Sequence, residues 1–158
     1  MREIARNVRV AALVGSLLLS LSARGNMGTE AAGDGISDED YAAAQSAIED
    51  KDYKKALDLL KKAQSRVGEH ADLSNLLGYT SRKLGKLDDA FSHYNQALAL
   101  NPKHKGAHAY VGEAYLMANN LAKAEEHLAA LQRLCTPIPC LEMNDLKAEI
   151  EDFKARKK

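Results

Sequence analysis

"LGKLDDAFSHYNQALALNP", Leu84 to Pro102, decides the fold of this chain. Gly85 suits a tight turn, because glycine reaches backbone angles closed to other residues. Small and large apolar residues then recur at helical spacing, with Ala90, Tyr94 and Ala97 on one face. Asn101-Pro102 ends the run, since proline disfavours a helical conformation in the residue before it. Alanine on an inward face lets a second backbone come close, and the tyrosine at i+4 fills the space beside it. The stretch reads as one helix of a close-packed pair.

Outward from this helix the pattern recurs. Ala56, Ala90 and Ala124 stand 34 residues apart, as do Ala63, Ala97 and Leu131, and Tyr53, Leu87 and Leu121. Each set follows a polar break: "DKDY" (Asp50–Tyr53), "LGKL" (Leu84–Leu87) and "ANNL" (Ala118–Leu121). A fixed period of this length, built from helix, turn and helix, is the mark of a stacked repeat. Composition agrees: 46% of residues are hydrophobic but only 5% aromatic, with no Trp, so the core is built from Ala and Leu, and such chains favour helix.

The middle unit, Ala71–His104, resembles the tetratricopeptide repeat family. Leu77-Gly78 fits the Leu-Gly of the family's first helix, Ala90, Tyr94 and Ala97 fit its second, and Pro102 fits its closing proline. Ser74 and Ser81 depart from the Trp and Tyr often found there. The third unit keeps Val111-Gly112, Tyr115, Ala124, Leu128 and Leu131 but places Pro137 one residue late, and the first keeps Ala44, Ala56, Leu60 and Ala63. The resemblance implies an all-α, right-handed superhelix of three helix-turn-helix repeats, at 37–70, 71–104 and 105–138. Ser37 is expected to cap the first helix, with Asp40 three residues on. Small residues at Ala44, Gly78 and Gly112 are expected where backbones approach. The last repeat would expose an apolar face, and "LEMNDLKAEIEDFKARKK" supplies a cover: Met143, Leu146, Ile150 and Phe153 at spacings of three and four. Residues 141–156 are expected to form a closing helix over a seven-helix body.

The start of the chain has another character. "MREIARNVRV" carries three Arg, and the apolar run Val10–Ala23 follows. A basic start, a short apolar middle and small residues read as a secretory signal over residues 1–25, with Ser22, Ala23 and Gly25 as candidate cleavage positions. The run falls short of the roughly 20 apolar residues of a spanning helix, which speaks for the signal; an uncleaved membrane anchor is the alternative. Gly-rich residues 26–36 read as a flexible linker. Without residues 1–25, 18 basic and 21 acidic residues remain, a net charge of −3. A mildly acidic body argues against nucleic acid, which wants clustered Lys and Arg. The expected location is the periplasm or the cell exterior.

Cys135 and Cys140 flank "TPIP" between the last repeat helix and the closing helix. In an exported chain an even cysteine count favours a disulfide. Free thiols, or a metal held with nearby His127 and Met143, stay open as alternatives, although the spacing lacks a second ligand pair. His93 and His127 fall one repeat apart and read as solvated outer surface, while His104 is expected just before its helix. No Gly-rich phosphate loop, serine elbow or Cys-His pair at recognisable spacing is present, and no catalytic, cofactor or metal residue is assigned.

The family mostly mediates protein–protein contacts, so the resemblance implies a binding module or adaptor whose partner is a protein or peptide. A self-assembling structural element is the alternative, and a metal or cofactor carrier a more distant one. Helical spacing puts Tyr41, Gln45, Asn75, Tyr79, Arg82, Glu113 and Met117 on the concave face formed by the first helices. Tyr and Arg are frequent interface anchors. Relatives that grip a partner's C-terminal carboxylate use Lys, Asn and Arg at set positions; here those positions hold Tyr41, Gln45, Leu76, Gly106 and Tyr110, so that clamp is not expected.

Overall fold

The computed structural model describes residues 35–157, and the expected signal and nearly all of the expected linker lie outside them. Seven helices follow one another: α1 (Glu39–Glu49), α2 (Tyr53–Val67), α3 (Ala71–Lys83), α4 (Leu87–Leu100), α5 (Lys105–Met117), α6 (Leu121–Leu134) and α7 (Leu141–Arg156). The first six pair as hairpins, α1 with α2, α3 with α4 and α5 with α6, and α7 packs against α5 and α6. The result is the all-α superhelix expected from the period.

The turns explain the period. Inside the hairpins the chain reverses through Lys51, Gly85 and Asn119, with φ of 61°, 76° and 59°. This left-handed conformation is open to glycine and tolerated by asparagine. Five of the seven helices start on a side chain that accepts from their free amides, the exceptions being α4 and α7. Asp52 and Asn120 cap α2 and α6, accepting from Lys55 N–H and Lys123 N–H. The cap of α1 is Asp38 rather than Ser37, its carboxylate accepting from the amides of Asp40 and Tyr41 at 3.0 Å each. Arg66, at the end of α2, grips the same carboxylate and that of Asp40, so a charged side chain holds the helix start where a hydroxyl could not.

Burial follows the repeat. Ala44, Ala56, Ala63, Ala90, Ala97, Ala124, Tyr94 and Leu131 have no exposed surface. The core is a row of three apolar clusters, one per seam of the stack. Gly78 and Gly112 mark its closest approaches. A Cβ on Gly78 would stand 2.6 Å from the ring of Tyr94, across its own hairpin. The equivalent space over Gly112 is taken by Leu146 of α7, also 2.6 Å from a built Cβ. Leu128 stands at the Tyr94 position of the third hairpin but is shorter, so the closing helix fills the gap. Leu146 and Ile150 are buried there, with Met143 and Phe153 packed beside them. Among the described residues no helix is long and apolar enough to cross a membrane.

Candidate functional site

A continuous row runs over α3, α5 and α7, since α3 packs directly on α5 and α5 on α7, whereas α1 joins the stack through α2, and α4 and α6 reach the next element through α5 and α7. Side chains of these three helices line a groove.

At the α3–α5 seam the groove is a ladder of aromatic rings around one cation. Tyr79 and Tyr110 lie 5.0 Å apart between ring centres, with Tyr53 6.1 Å from Tyr79 and Tyr94 6.5 Å from Tyr110. The Arg82 guanidinium sits over both Tyr79 and Tyr110, at 5.5 and 5.7 Å. Its Nη2 meets Glu113 Oε2 at 2.8 Å, and its Nε donates to the Tyr94 hydroxyl at 3.3 Å. Arginine suits this place because its planar donors can serve a carboxylate, a hydroxyl and aromatic faces together. Burial opposes the Arg82 charge, but Glu113, Tyr94 and Tyr79 together more than restore it. Burial also lifts the Glu113 carboxyl above its ordinary range, against the pull of Arg82. Burial pushes the Tyr79 hydroxyl up to about 12, with Tyr53 adding to the shift, so it stays protonated and able to donate.

This geometry changes the standing of two expected anchors. Arg82 and Asn75 are each only 6% exposed. Arg82 is an internal strut rather than a surface contact, because the ion pair and rings consume its donors and faces. Asn75 is covered where α5 arrives, its amide 3.3 Å from the place a Cβ on Gly106 would take. Tyr79, Arg82, Glu113 and Met117 do gather at one seam. A cavity of about 230 Å³ opens there, lined in part by Arg82, Glu113 and Met117, together with Lys83 on α3 and Glu149, Phe153 and Arg156 on α7. Met117, 53% exposed, is the accessible apolar side chain at its mouth. Tyr41, half-buried, packs on the first core cluster at the far end, and Gln45 is exposed there.

The sequence reading missed Tyr53, Lys83, Glu149, Phe153 and Arg156, and it weighed Tyr110 only as a clamp position. Tyr110 stands one helical turn before Glu113, which is the register partner of Tyr79, so an aromatic one turn out of register was the available signal. The histidines also need correction. His93 and His127 are half-buried, not solvated. His127 lies against Tyr115 and His108 of α5. His104 does precede its helix, where its Nδ1 accepts from Ala107 N–H at 3.2 Å.

Cys135 and Cys140 are joined as a disulfide, with Cα atoms 5.5 Å apart, tying the end of α6 to the start of α7. Among the described residues no group of three or more His, Cys, Asp or Glu side chains is placed to share a metal ion.

Curved helical hairpins stacked in one register define an α-solenoid of the two-helix-repeat class. Two sequence profiles described as tetratricopeptide repeat match residues 41–104 and 81–134. The chain belongs to the tetratricopeptide repeat family. Its fold is similar to that of the Yersinia enterocolitica type III secretion chaperone SycD in complex with a peptide of the translocator YopD. That likeness has a TM-score of 0.65 and 20% identity, covering 75% of this chain and 92% of the other. The Sgt2 domain from Aspergillus fumigatus aligns with TM-score 0.66 and 19% identity over 76% and 78% of the two chains. The first repeat domain of RPAP3 (Spaghetti), solved with the HSP90 peptide SRMEEVD, aligns with TM-score 0.64 and 19% identity over 75% and 90%. Comparison with curated protein sequences finds no match.

Proposed function

We propose that this chain is a non-catalytic binding module, an exported adaptor that holds a segment of another protein in the groove of its first helices. The observation that carries the reading is the built groove itself: a rigid ladder of tyrosines locked around Arg82–Glu113, opening onto a cavity with Met117 and Phe153 in its wall. Rigid aromatic and apolar anchors lose little entropy on contact, which favours recognition of extended or helical segments. Family neighbours solved with peptides support the same use of the fold.

The partner segment is read as internal rather than a free C-terminus. Arg82 is buried and neutralised by Glu113, and the positions at which relatives hold a carboxylate carry Tyr41, Gln45, Leu76, Gly106 and Tyr110 instead. End-to-end assembly is the weaker reading, since α7 covers the last repeat and presents Lys147 and Glu151 to solvent. Export rests on the basic and apolar residues 1–25 alone.

The test is site-specific photocrosslinking in the native host. A crosslinker at Met117 is expected to capture one discrete partner, and one at Lys62, on the outer helix α2, is expected to capture none. Equal capture from both positions, or capture from Lys62 alone, would move the site off the groove. Tyr79→Ala should reduce capture at least tenfold with the helical signal retained.

A further inference from the structure

The cavity where α3, α5 and α7 meet has an apolar wall and a cationic rim. Leu116, Met117 and Phe153 make the wall. Leu116 is buried and Met117 is exposed, so apolar surface runs from the floor to the mouth. The volume of about 230 Å³ falls below the roughly 300–1,000 Å³ of clefts that enclose a whole small molecule. It has room for one large side chain.

Among the charged groups of the lining, Arg82 and Glu113 are spent on each other. Lys83 of α3 and Arg156 of α7 remain, against Glu149 alone. Among the described residues neither of these two cations is ion-paired. Lys83 is placed by a ring instead, its Nζ 5.3 Å from the centre of Tyr79. Lys157 stands in the same way over Phe153, at 5.4 Å, and brings a third positive charge beside the apolar wall. An aromatic face orients an ammonium without cancelling its charge. The ends of α3, α5 and α7 contribute only partial negative charge, which fades within a turn. The rim is therefore positive, although residues 26–158 carry a net charge of −3.

We infer, resting on the groove reading above, that the occupant is an acidic–apolar segment of a partner protein. One large apolar side chain seats against Met117 and Phe153, and an Asp or Glu about one helical turn away reaches Lys83 or Arg156. A basic segment would meet like charge at the rim. A wholly apolar one would strip water from the cations and offer them no partner. The pocket supplies the anchor, and the rim supplies the selection and the speed of encounter.

Panning a displayed library of random internal peptides on the full chain tests this. Clones that no longer bind Tyr79→Ala are groove clones. They are expected to share a large apolar residue with an Asp or Glu three or four positions away, and to bind more weakly as salt rises. Their affinity for the double variant Lys83→Glu, Arg156→Glu should fall at least about tenfold, and exchanging the peptide's acid for Lys should restore it. Lys83 and Arg156 are exposed, so the variant keeps its fold, which circular dichroism checks. Groove clones that lack an acid, or that bind the folded double variant undiminished, overturn the acidic–apolar occupant and leave the groove standing as the site. A selection that yields no groove clone also overturns it, and the Met117 crosslink then decides the groove itself.

Discussion

A single missing Cβ sets the spacing of the second hairpin. Gly78 faces the ring of Tyr94, which has no exposed surface and donates no room. Gly78→Ala is expected to destabilise the protein by about 1–3 kcal/mol, the usual cost of overpacking a closed core; urea unfolding would measure it, and an unchanged midpoint would show that the ring can yield. The same scale separates Arg82 from a surface anchor. Removing one partner of a buried ion pair strands the other, so Arg82→Glu, which would set two carboxylates against each other, attacks the fold and says nothing of recognition. Tyr79, with its outer edge in the groove, is the residue that tests binding.

Between elements, the starts of α3 and α5 are fastened by polar side chains. His70 and His104 cap them one repeat apart, and Asp72 lies between, 3.0 Å from His104 Nε2 and 3.7 Å from His70 Nδ1. The contact with His104 holds the Asp72 carboxyl below its ordinary range, although burial pulls the other way. A lowered folded-state pKa means stability that is present above the unfolded value of 3.8 and lost as pH falls through the folded value. Asp72→Asn should therefore cost up to about 1 kcal/mol at pH 7, with the difference from the parent vanishing in strong acid; a difference independent of pH would remove the carboxylate from this seam. Such seams mark where sequence reading ran out. The helices, their turns and the closing helix were legible, because the alanine register and the breaks at Lys51, Gly85 and Asn119 are local and periodic. The pairing of Arg82 with Glu113, and of His108 with His127, was not. Those contacts join residues 31 and 19 apart, and side-chain direction, not register, selects them. Periodicity assigned Arg82 to the groove face correctly in angle and wrongly in depth.

At the scale of the whole molecule, the three clusters lie in a row and each hairpin leans on its neighbours. A stack of this kind is stable only when its ends are closed. A chain stopped after Ile138, with Cys135→Ser to avoid a stray thiol, loses Leu146 and Ile150 and uncovers Leu131 and Gly112. It is expected to self-associate where the parent stays monomeric, and sedimentation velocity would show which; a monomeric, fully helical fragment would mean that the third hairpin closes itself. The aromatic ladder has a further consequence at this scale. The chain holds six Tyr and no Trp, and Tyr53, Tyr79, Tyr94 and Tyr110 crowd around one guanidinium. The protein's near-ultraviolet absorption and dichroism thus originate largely in the groove wall, so an occupant sliding along that wall writes its arrival directly into the optical spectrum of the unlabelled protein.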